Sequence, residues 1–296
     1  MSSWNDLYEE INSYGGIHDV IRRNYISQLA ELTGRNVIIY YSSWLTKPEF
    51  ALGTIINDED KNGFMATIQG LDRDKGLDLI LHTQGGDTAA TESLVDYLKT
   101  CFTDIRAIVP QIAMSGGTMI ACACKSIVMG KQSSLGPIDP QIQGIPAHAI
   151  LEEFDQAVQE INADPSRIPL WQVILSKYSP ALIGECRKAI DWSEEMVAKW
   201  LGEGMLKGHS PQKIADVLKD LSNHAITKSH ARHLSAEKCN DIGLKIEMME
   251  DNQKLQNAIL AVHHLTMITF AQTPAVKIIE NQKKKAYIKS AGIAPN

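Results

Sequence analysis

The sequence predicts an α/β fold with a mostly parallel sheet and added helices. Between residues 36 and 130, short β-branched and apolar runs alternate with segments of helical period, which is typical of parallel strands joined by crossover helices. Two of these runs end directly in glycine-rich turns. From about 150 to 225 the period is mostly helical, which indicates helices added to the sheet.

The predicted elements can be justified in chain order. Apolar side chains recur at helical spacing before residue 34, so this segment should form helices. Runs rich in β-branched, aromatic and other apolar residues predict four strands, at 36–41, 77–82, 105–110 and 126–130. Helices are expected after 86 and over 118–124, while 63–68 is helical or a loop. Later helices are predicted over 152–161, 171–178, 182–190, 196–201, 212–221 and 254–271.

The composition disfavours several classes of protein. The 296 residues are 44% hydrophobic and 22% charged, so disorder is not expected as the main state. The formal charge of −6 argues against a phosphate-binding surface, and hence against nucleic acid as the main partner. No run reaches the roughly 18 apolar residues of a membrane helix, and the first residues lack a signal-peptide pattern. We therefore expect a cytoplasmic protein.

Two glycine-rich turns are the strongest chemical signal. They read HTQGGD at 82–87 and AMSGGT at 113–118, and each follows a predicted buried strand. In a parallel sheet both turns lie at the carboxyl ends of strands, where α/β folds place their sites. The Ser115 hydroxyl would be exposed beside the N–H groups that begin a helix, which suits a nucleophile with an oxyanion site. Ordinary strand-to-helix connections are the alternative, and neither turn matches a nucleotide phosphate-binding motif.

Further segments extend this pattern and carry a resemblance. The segments are 79–86, 113–121, 134–141, 228–237 and 242–244. In this order they resemble the Clp/crotonase superfamily of serine peptidases. The chain is most similar to the serine dehydrogenase proteinase family, which is related to signal-peptide peptidase A and the Clp proteolytic subunit. The resemblance implies a Clp/crotonase-like spiral of ββα units.

The resemblance also implies how the chain is organised. It covers roughly residues 35–245, which we take as one peptidase domain with a helical insertion at about 150–225. Residues 1–34 are then an N-terminal helical segment. Residues 246–296 are expected to be a helix followed by a loose tail, which would contain the lysine run at 283–285.

Residue by residue, the resemblance implies a catalytic set. Ser115 is the nucleophile, and the N–H groups of Gly86 and Gly116 hold the oxyanion. Asp139 and His230 complete a Ser-Asp-His triad in the chain order of the family.

The chain departs from the family pattern at two positions of its turns. The first turn usually reads Pro-Gly-Gly and has Gln84 here, whereas the serine turn usually reads Ser-Ala-Gly and has Gly116. Both changes keep the backbone donors, so we expect the oxyanion site to survive. Gln84 and Gly85 would border a peptide substrate that pairs with the strand edge.

Alternatives remain open for the base and for the function. His233 competes with His230, and Lys177 is the candidate for a Ser-Lys dyad like that of signal-peptide peptidase A. Each of these residues also has a non-catalytic interpretation. Asp139 could belong to an ordinary turn, the two histidines could lie on a solvated surface, and Lys177 could lie on a solvated helix. The chain could instead be a non-catalytic Clp-fold scaffold or regulator, or a crotonase-like acyl-CoA enzyme.

The resemblance finally sets expectations about partners. It implies a peptide or protein substrate and a homo-oligomer, with no metal and no other cofactor. Nothing in the sequence resembles an ATPase module, so any unfolding of substrates would need a separate partner.

Overall fold

The structure is a computed structural model that describes residues 3–14, 17–222 and 229–292. Lys228, the end of the expected insertion at 223–225 and the expected tail beyond 292 lie outside these residues. Within them, no helix is long and apolar enough to cross a membrane. The strands are β1 Asn36–Ser42, β2 Leu77–His82, β3 Ile105–Val109, β4 Ile112–Ala113, β5 Ser126–Met129, β6 Ser134–Leu135, β7 Gln141–Ile142, β8 Ile145–Pro146, β9 Leu234–Ser235, β10 Ile246–Met248, β11 Ala275–Asn281 and β12 Ala286–Ser290.

Helices surround the strands in the alternation that the sequence predicts. The four predicted strands are confirmed as β1, β2, β3 and β5, and the region 150–225 is helical as far as it is described. The helices are α1 Trp4–Ser13, α2 His18–Thr33, α3 Ala51–Thr54, α4 Asp60–Ile68, α5 Thr88–Cys101, α6 Gly116–Cys122, α7 Ala147–Ala163, α8 Ile168–Leu175, α9 Leu182–Glu203, α10 Pro211–Ser222, α11 Ala236–Ile242 and α12 Gln253–Gln272.

A seven-stranded sheet in the order β10-β5-β3-β2-β1-β11-β12 forms the centre of the fold. Its first five strands are parallel to their neighbours, and β11 joins β1 antiparallel. The α/β class with a mostly parallel sheet is therefore confirmed. Short strands β4, β6 and β9 form a separate three-stranded sheet beside it.

The sheet is buried on both faces, and β1 shows how the sequence achieves this. Because side chains alternate along a strand, Ile38 and Tyr40 enter one core cluster while Ile39 and Tyr41 enter another. The first cluster includes residues of α4, α5 and α6, and the second includes residues of α2 and α12. The β-branched and aromatic run therefore reads as a continuous apolar strand, as expected for a strand covered on both sides.

The prediction of a loose C-terminal tail is wrong for residues 275–290. These residues form the hairpin β11–β12, and β11 lies beside β1 at the centre of the fold. The strand β11 was not predicted because it contains two charged residues, Lys277 and Glu280. Both are fully buried in the structure. Lys277 pairs with Asp60, and Glu280 pairs with Arg22 and Arg23. The lysine run at 283–285 forms the turn of this hairpin.

The predicted break between helices 182–190 and 196–201 is also absent. α9 runs without interruption through Leu182–Glu203. In the segment that joins the two predicted helices, Ser193 is buried and its hydroxyl donates a hydrogen bond to the Ile190 carbonyl one turn earlier. This bond satisfies the hydroxyl within the helix.

Buried histidines between the sheet and α12 make stability depend on pH. Burial lowers the pKa of His82 to about 4 and also lowers that of His263, whose neighbours His82 and His264 lower it further. In the unfolded chain a histidine titrates near pH 6.5. Below that pH the unfolded chain binds more protons, so the free energy of unfolding falls as the pH falls from about 6.5 to 4.

We expect His82 alone to remove about 3 kcal/mol of stability across this range, since each pKa unit is worth about 1.4 kcal/mol. Urea unfolding at pH 7.5, 6, 5 and 4 measures the change in the free energy of unfolding. His82→Gln, which does not titrate, should give a shallower dependence on pH. If the free energy of unfolding of this variant depends on pH as steeply as that of the wild type, the effect does not come from His82.

Candidate active site

The two glycine-rich turns lie together at the carboxyl end of the parallel strands. The first follows β2 and leads into α5, and the second follows β4 and leads into α6. They are joined directly, because the N–H of Met114 donates to the Thr83 carbonyl at 2.9 Å and Thr83 forms a bridge with Ala113. This placement agrees with the position of sites in parallel α/β sheets.

The first turn requires glycine at two successive positions. Gly85 has a φ of 93°, in the left-handed region, and a Cβ there would lie 2.6 Å from the Cβ of Ser115. A Cβ on Gly86 would lie 2.3 Å from the nitrogen of Ile56 and 2.4 Å from its oxygen. The Gly-Gly pair therefore allows the turn to lie against Ser115 on one side and the backbone of Ile56 on the other.

Ser115 lies at a strained connection between β4 and α6. Its φ of 49° and ψ of −117° are unusual for a residue with a side chain. A strained strand-to-helix turn also exposes the serine nucleophile of α/β-hydrolases. Among the described residues its hydroxyl forms no hydrogen bond, including none with His230.

Two backbone N–H groups near Ser115 are free for a ligand. The amides of Gly86 and Gly116 donate no hydrogen bond within the described part of the chain. They are also close to each other, since a Cβ on Gly116 would lie 3.6 Å from the Gly86 nitrogen. Gly116 begins α6, where the first N–H groups of a helix lack partners and carry partial positive charge.

Asp139 and His230 are joined by a hydrogen bond of 2.9 Å between the carboxylate Oδ1 and the ring Nδ1. Asp139 is fully buried, whereas the His230 side chain is 22% exposed. The other carboxylate oxygen, Oδ2, is buried with no hydrogen-bond partner among the described residues. The bond to His230 is thus what offsets the loss of water around the buried carboxylate. The same bond fixes the orientation of the ring.

Backbone bonds connect the Asp139 segment to the serine turn. The N–H of Gly136 donates to the Ala113 carbonyl and to the Thr118 hydroxyl, each at 3.0 Å. Two residues later, the N–H of Ile138 donates to the Leu221 carbonyl of α10 at 3.0 Å. Asp139 is therefore held between the serine turn and the added helices.

A cavity of about 290 Å³ is lined by five of the predicted site residues, but not by Asp139 or Gly116, as far as the described residues define it. Gln84, Gly85, Gly86, Ser115 and His230 all line it. Sequence reasoning missed several further lining residues, namely Ile55, Thr88, Met119, Ile138, Pro140, Gln141 and Ser193. Three of these flank Asp139 in a segment that the motifs pointed to, but Ile55 and Ser193 come from elements without a motif.

The alternative bases lie elsewhere. Lys177 is exposed just after α8, and His233 is exposed three residues beyond His230. Neither lines the cavity, as far as the described residues define it. Gln84 does line it, and its side-chain amide donates to the Thr54 hydroxyl at 2.7 Å, which ties the first turn to α3.

Two uncharacterized proteins of Methanocaldococcus jannaschii are similar to the chain. MJ1495 is 29% identical over 227 residues, which are 76% of this chain and 71% of that protein. MJ0137 is 30% identical over 192 residues, which are 65% of this chain and 60% of that protein.

A solved structure and a family model also match the chain. A ClpP1 mutant from Listeria monocytogenes superimposes with a TM-score of 0.42 and 14% identity, over 76% of this chain and 97% of that one. The model of the ClpP-like SDH-type serine proteinases matches residues 20–291, which is most of the chain. The chain therefore belongs to the ClpP-like SDH-type serine proteinase family.

Proposed function

We propose that the chain is a serine peptidase that hydrolyses peptide bonds through an acyl-enzyme at Ser115. The observation that carries this proposal is the bond of 2.9 Å between Asp139 and His230, with His230 lining the same cavity as Ser115. A carboxylate, an imidazole and an unengaged serine hydroxyl are the groups of a catalytic triad, which is defined by geometry rather than chain order.

The roles follow from the hydrogen bonds. Since Nδ1 of His230 donates to Asp139, the neutral ring carries its lone pair on Nε2, which is the base. Ser115 Oγ attacks the carbonyl carbon of the scissile bond, and its proton moves to Nε2. His230 then gives this proton to the leaving amine as the acyl-enzyme forms. Water, activated by the same ring, attacks the ester and releases the acid with Ser115 restored.

Charge stabilisation supports the assignment of the remaining residues. The tetrahedral intermediate carries a negative oxygen, which the free amides of Gly86 and Gly116 would hold. Protonated His230 would be stabilised by Asp139, whose buried carboxylate has no other ion-pair partner among the described residues. Both developing charges therefore meet an opposite charge or a dipole that is already in place.

The cavity favours a substrate residue with an uncharged side chain. Ile55, Met119 and Ile138 supply apolar surface, and the described lining includes no carboxylate, lysine or arginine. A charged side chain would enter without a partner, which costs free energy. Peptides with uncharged residues around the scissile bond are therefore the assay substrates of choice. We also propose that the peptidase works as a homo-oligomer and needs no cofactor.

Labelling with a fluorophosphonate tests the nucleophile. We expect the wild-type chain to be labelled, because an activated serine displaces fluoride from the reagent and is phosphonylated, whereas Ser115→Ala should not be labelled at all. Ser133→Ala is a matched control, since Ser133 is buried and its hydroxyl bonds to the Pro110 carbonyl away from the cavity. Mass spectrometry locates the adduct. A folded wild-type chain that stays unlabelled, or an adduct on another serine, overturns the proposal.

A further inference from the structure

A buried ion pair lies directly behind the cavity, where the proposed mechanism gives it no role. Lys277 of β11 donates to the Asp60 carboxylate at 2.6 Å, and both side chains are at most 2% exposed. Tyr40 donates its hydroxyl to the other oxygen of Asp60, also at 2.6 Å. The Lys277 ammonium lies 5.9 Å from the centre of the Tyr40 ring. Three polar side chains thus form one network inside the core.

This network holds the backbone on both sides of Ile56. The Lys277 ammonium donates to the Ile55 carbonyl at 2.7 Å, which fixes the chain before Ile56. The Asp60 carboxylate accepts from the N–H of Asn57 at 3.1 Å, which fixes the chain after it. Ile56 is therefore held between the two members of the ion pair.

Ile56 in turn holds the proposed oxyanion site. Its N–H donates to the Gly85 carbonyl at 2.8 Å, and its carbonyl accepts from the N–H of Asp87 at 2.9 Å. Within the described part of the chain, the N–H of Gly86, the residue between, then donates no hydrogen bond. The Ile56 side chain also approaches the second glycine, since a Cβ on Gly116 would lie 3.2 Å from its Cδ1. Ile56 thus contacts the backbone that supplies both donors.

Stability alone is a poor explanation for such a pair. Removing two charges from water is expensive, and apolar residues of similar volume often give an equally or more stable core. A network of fixed bonds does, however, limit how far the attached backbone can move. Oxyanion donors must be held accurately, because a displacement of about 1 Å can lower a rate about 100-fold.

We propose that Lys277 and Asp60 are positioning residues that hold the Gly86 and Gly116 amides through Ile56. This inference rests on the proposed function and deepens it. The β11–β12 hairpin, rather than any sequence motif of the site, then determines how well the oxyanion donors are aligned. Lys277 and Asp60 act through Ile56 and touch no substrate.

The test replaces the whole network with apolar groups of similar volume, in the variant Tyr40→Phe/Asp60→Leu/Lys277→Met. This change leaves no unpaired charge in the core, so we expect a folded protein with a cooperative thermal transition. We expect kcat for peptide hydrolysis to fall about 10- to 100-fold, while KM changes less than about 3-fold. If the triple variant does not fold, Asp60→Asn/Lys277→Met removes the ion pair and the Ile55 bond alone.

A peptide boronic acid separates positioning from general structure. It forms a tetrahedral, negatively charged adduct on the serine and places one oxygen in the oxyanion site, as the transition state does. If the network positions the donors, boronate affinity falls by about the same factor as kcat/KM. Unchanged boronate affinity in a variant with lowered kcat contradicts the proposal.

The same strand offers a matched control. Arg22 and Glu280 form another fully buried ion pair, and Glu280 lies on the opposite face of β11, against α2. Arg22→Met/Glu280→Gln should change the melting temperature but leave kcat and boronate affinity within about 2-fold. An equal loss of kcat in this control shows that any damage to β11 lowers activity, which overturns a specific role for Lys277 and Asp60.

The outcomes also separate this inference from the proposed function. If wild-type hydrolysis does not depend on Ser115, the proposed function itself fails. If hydrolysis depends on Ser115 and the folded triple variant keeps the wild-type kcat, only the positioning role fails.

Discussion

Replacing His230 with alanine is expected to lower kcat for peptide hydrolysis about 10⁶-fold, the effect of losing the base of a well-studied catalytic triad. His230 is the one imidazole among the described residues that lines the cavity with Ser115 and bonds to a buried carboxylate. Without it, the serine hydroxyl keeps its proton and is a weak nucleophile. Asp139→Ala should cost less, about 10⁴-fold, because the ring remains but loses its fixed orientation.

The competing bases supply the controls for this prediction. His233→Ala and Lys177→Ala remove exposed side chains outside the cavity, so we expect activity within about 2-fold of wild type. Steady-state kinetics with one peptide and thermal melts of all four variants complete the comparison. If Lys177→Ala is inactive and His230→Ala remains active, the Ser-Lys dyad replaces the triad.

The two glycine-rich turns could be predicted from sequence because their signals are local. A buried strand, a Gly-Gly pair and a following helix are contiguous in the chain, and parallel pairing brings two such turns to one edge. The structure joins them through Met114 and Thr83. The positive φ of Ser115 is not readable from its residue type, since serine seldom adopts that conformation.

Asp139 and His230 lie beyond the reach of local patterns. They are 91 residues apart, and each stands in a polar or proline-containing segment that suits an ordinary turn. Only the resemblance to a family connected them before the structure was known. The antiparallel pairing of β6 with β9, in which Leu135 lies opposite Leu234, brings the two segments together.

The C-terminal hairpin was missed because its signal is non-local. A strand whose central residues include Lys277 and Glu280 reads as exposed, unless partners for both charges are known. Those partners are Asp60 and Arg22, which lie 217 and 258 residues away in the chain. The network of Lys277, Asp60 and Tyr40 behind the cavity could therefore not be inferred from the sequence.

The structure also gives a reason for one departure from the family pattern. The family usually has alanine where this chain has Gly116. Here a Cβ at 116 would lie 2.7 Å from the Thr91 hydroxyl oxygen, which itself donates to the Asp87 carbonyl at 2.7 Å. Thr91 therefore occupies the space that an alanine would need, so the glycine fits this particular site and its N–H remains free.

Replacing Gly86 with alanine is expected to lower kcat about 100- to 1,000-fold, the usual effect of losing one oxyanion donor. The new methyl group would lie within 2.4 Å of the nitrogen and the oxygen of Ile56. Backbone atoms cannot rotate away as a side chain can, so the turn must move off Ile56. This movement breaks the bonds of Ile56 to Gly85 and Asp87 and turns the Gly86 amide away from the position it shares with Gly116.

Gly53→Ala is the matched control for this prediction. Gly53 lies in α3, three residues before Ile56 in the chain. A Cβ at this position would contact only the Val276 side chain, at 3.8 Å. This is an ordinary contact, and alanine favours a helix, so activity should stay within about 2-fold of wild type. Kinetics and fluorophosphonate labelling rates are compared below the melting temperature of each variant. A Gly86→Ala protein that is labelled and hydrolyses peptides at the wild-type rate shows that the oxyanion is not held by this amide.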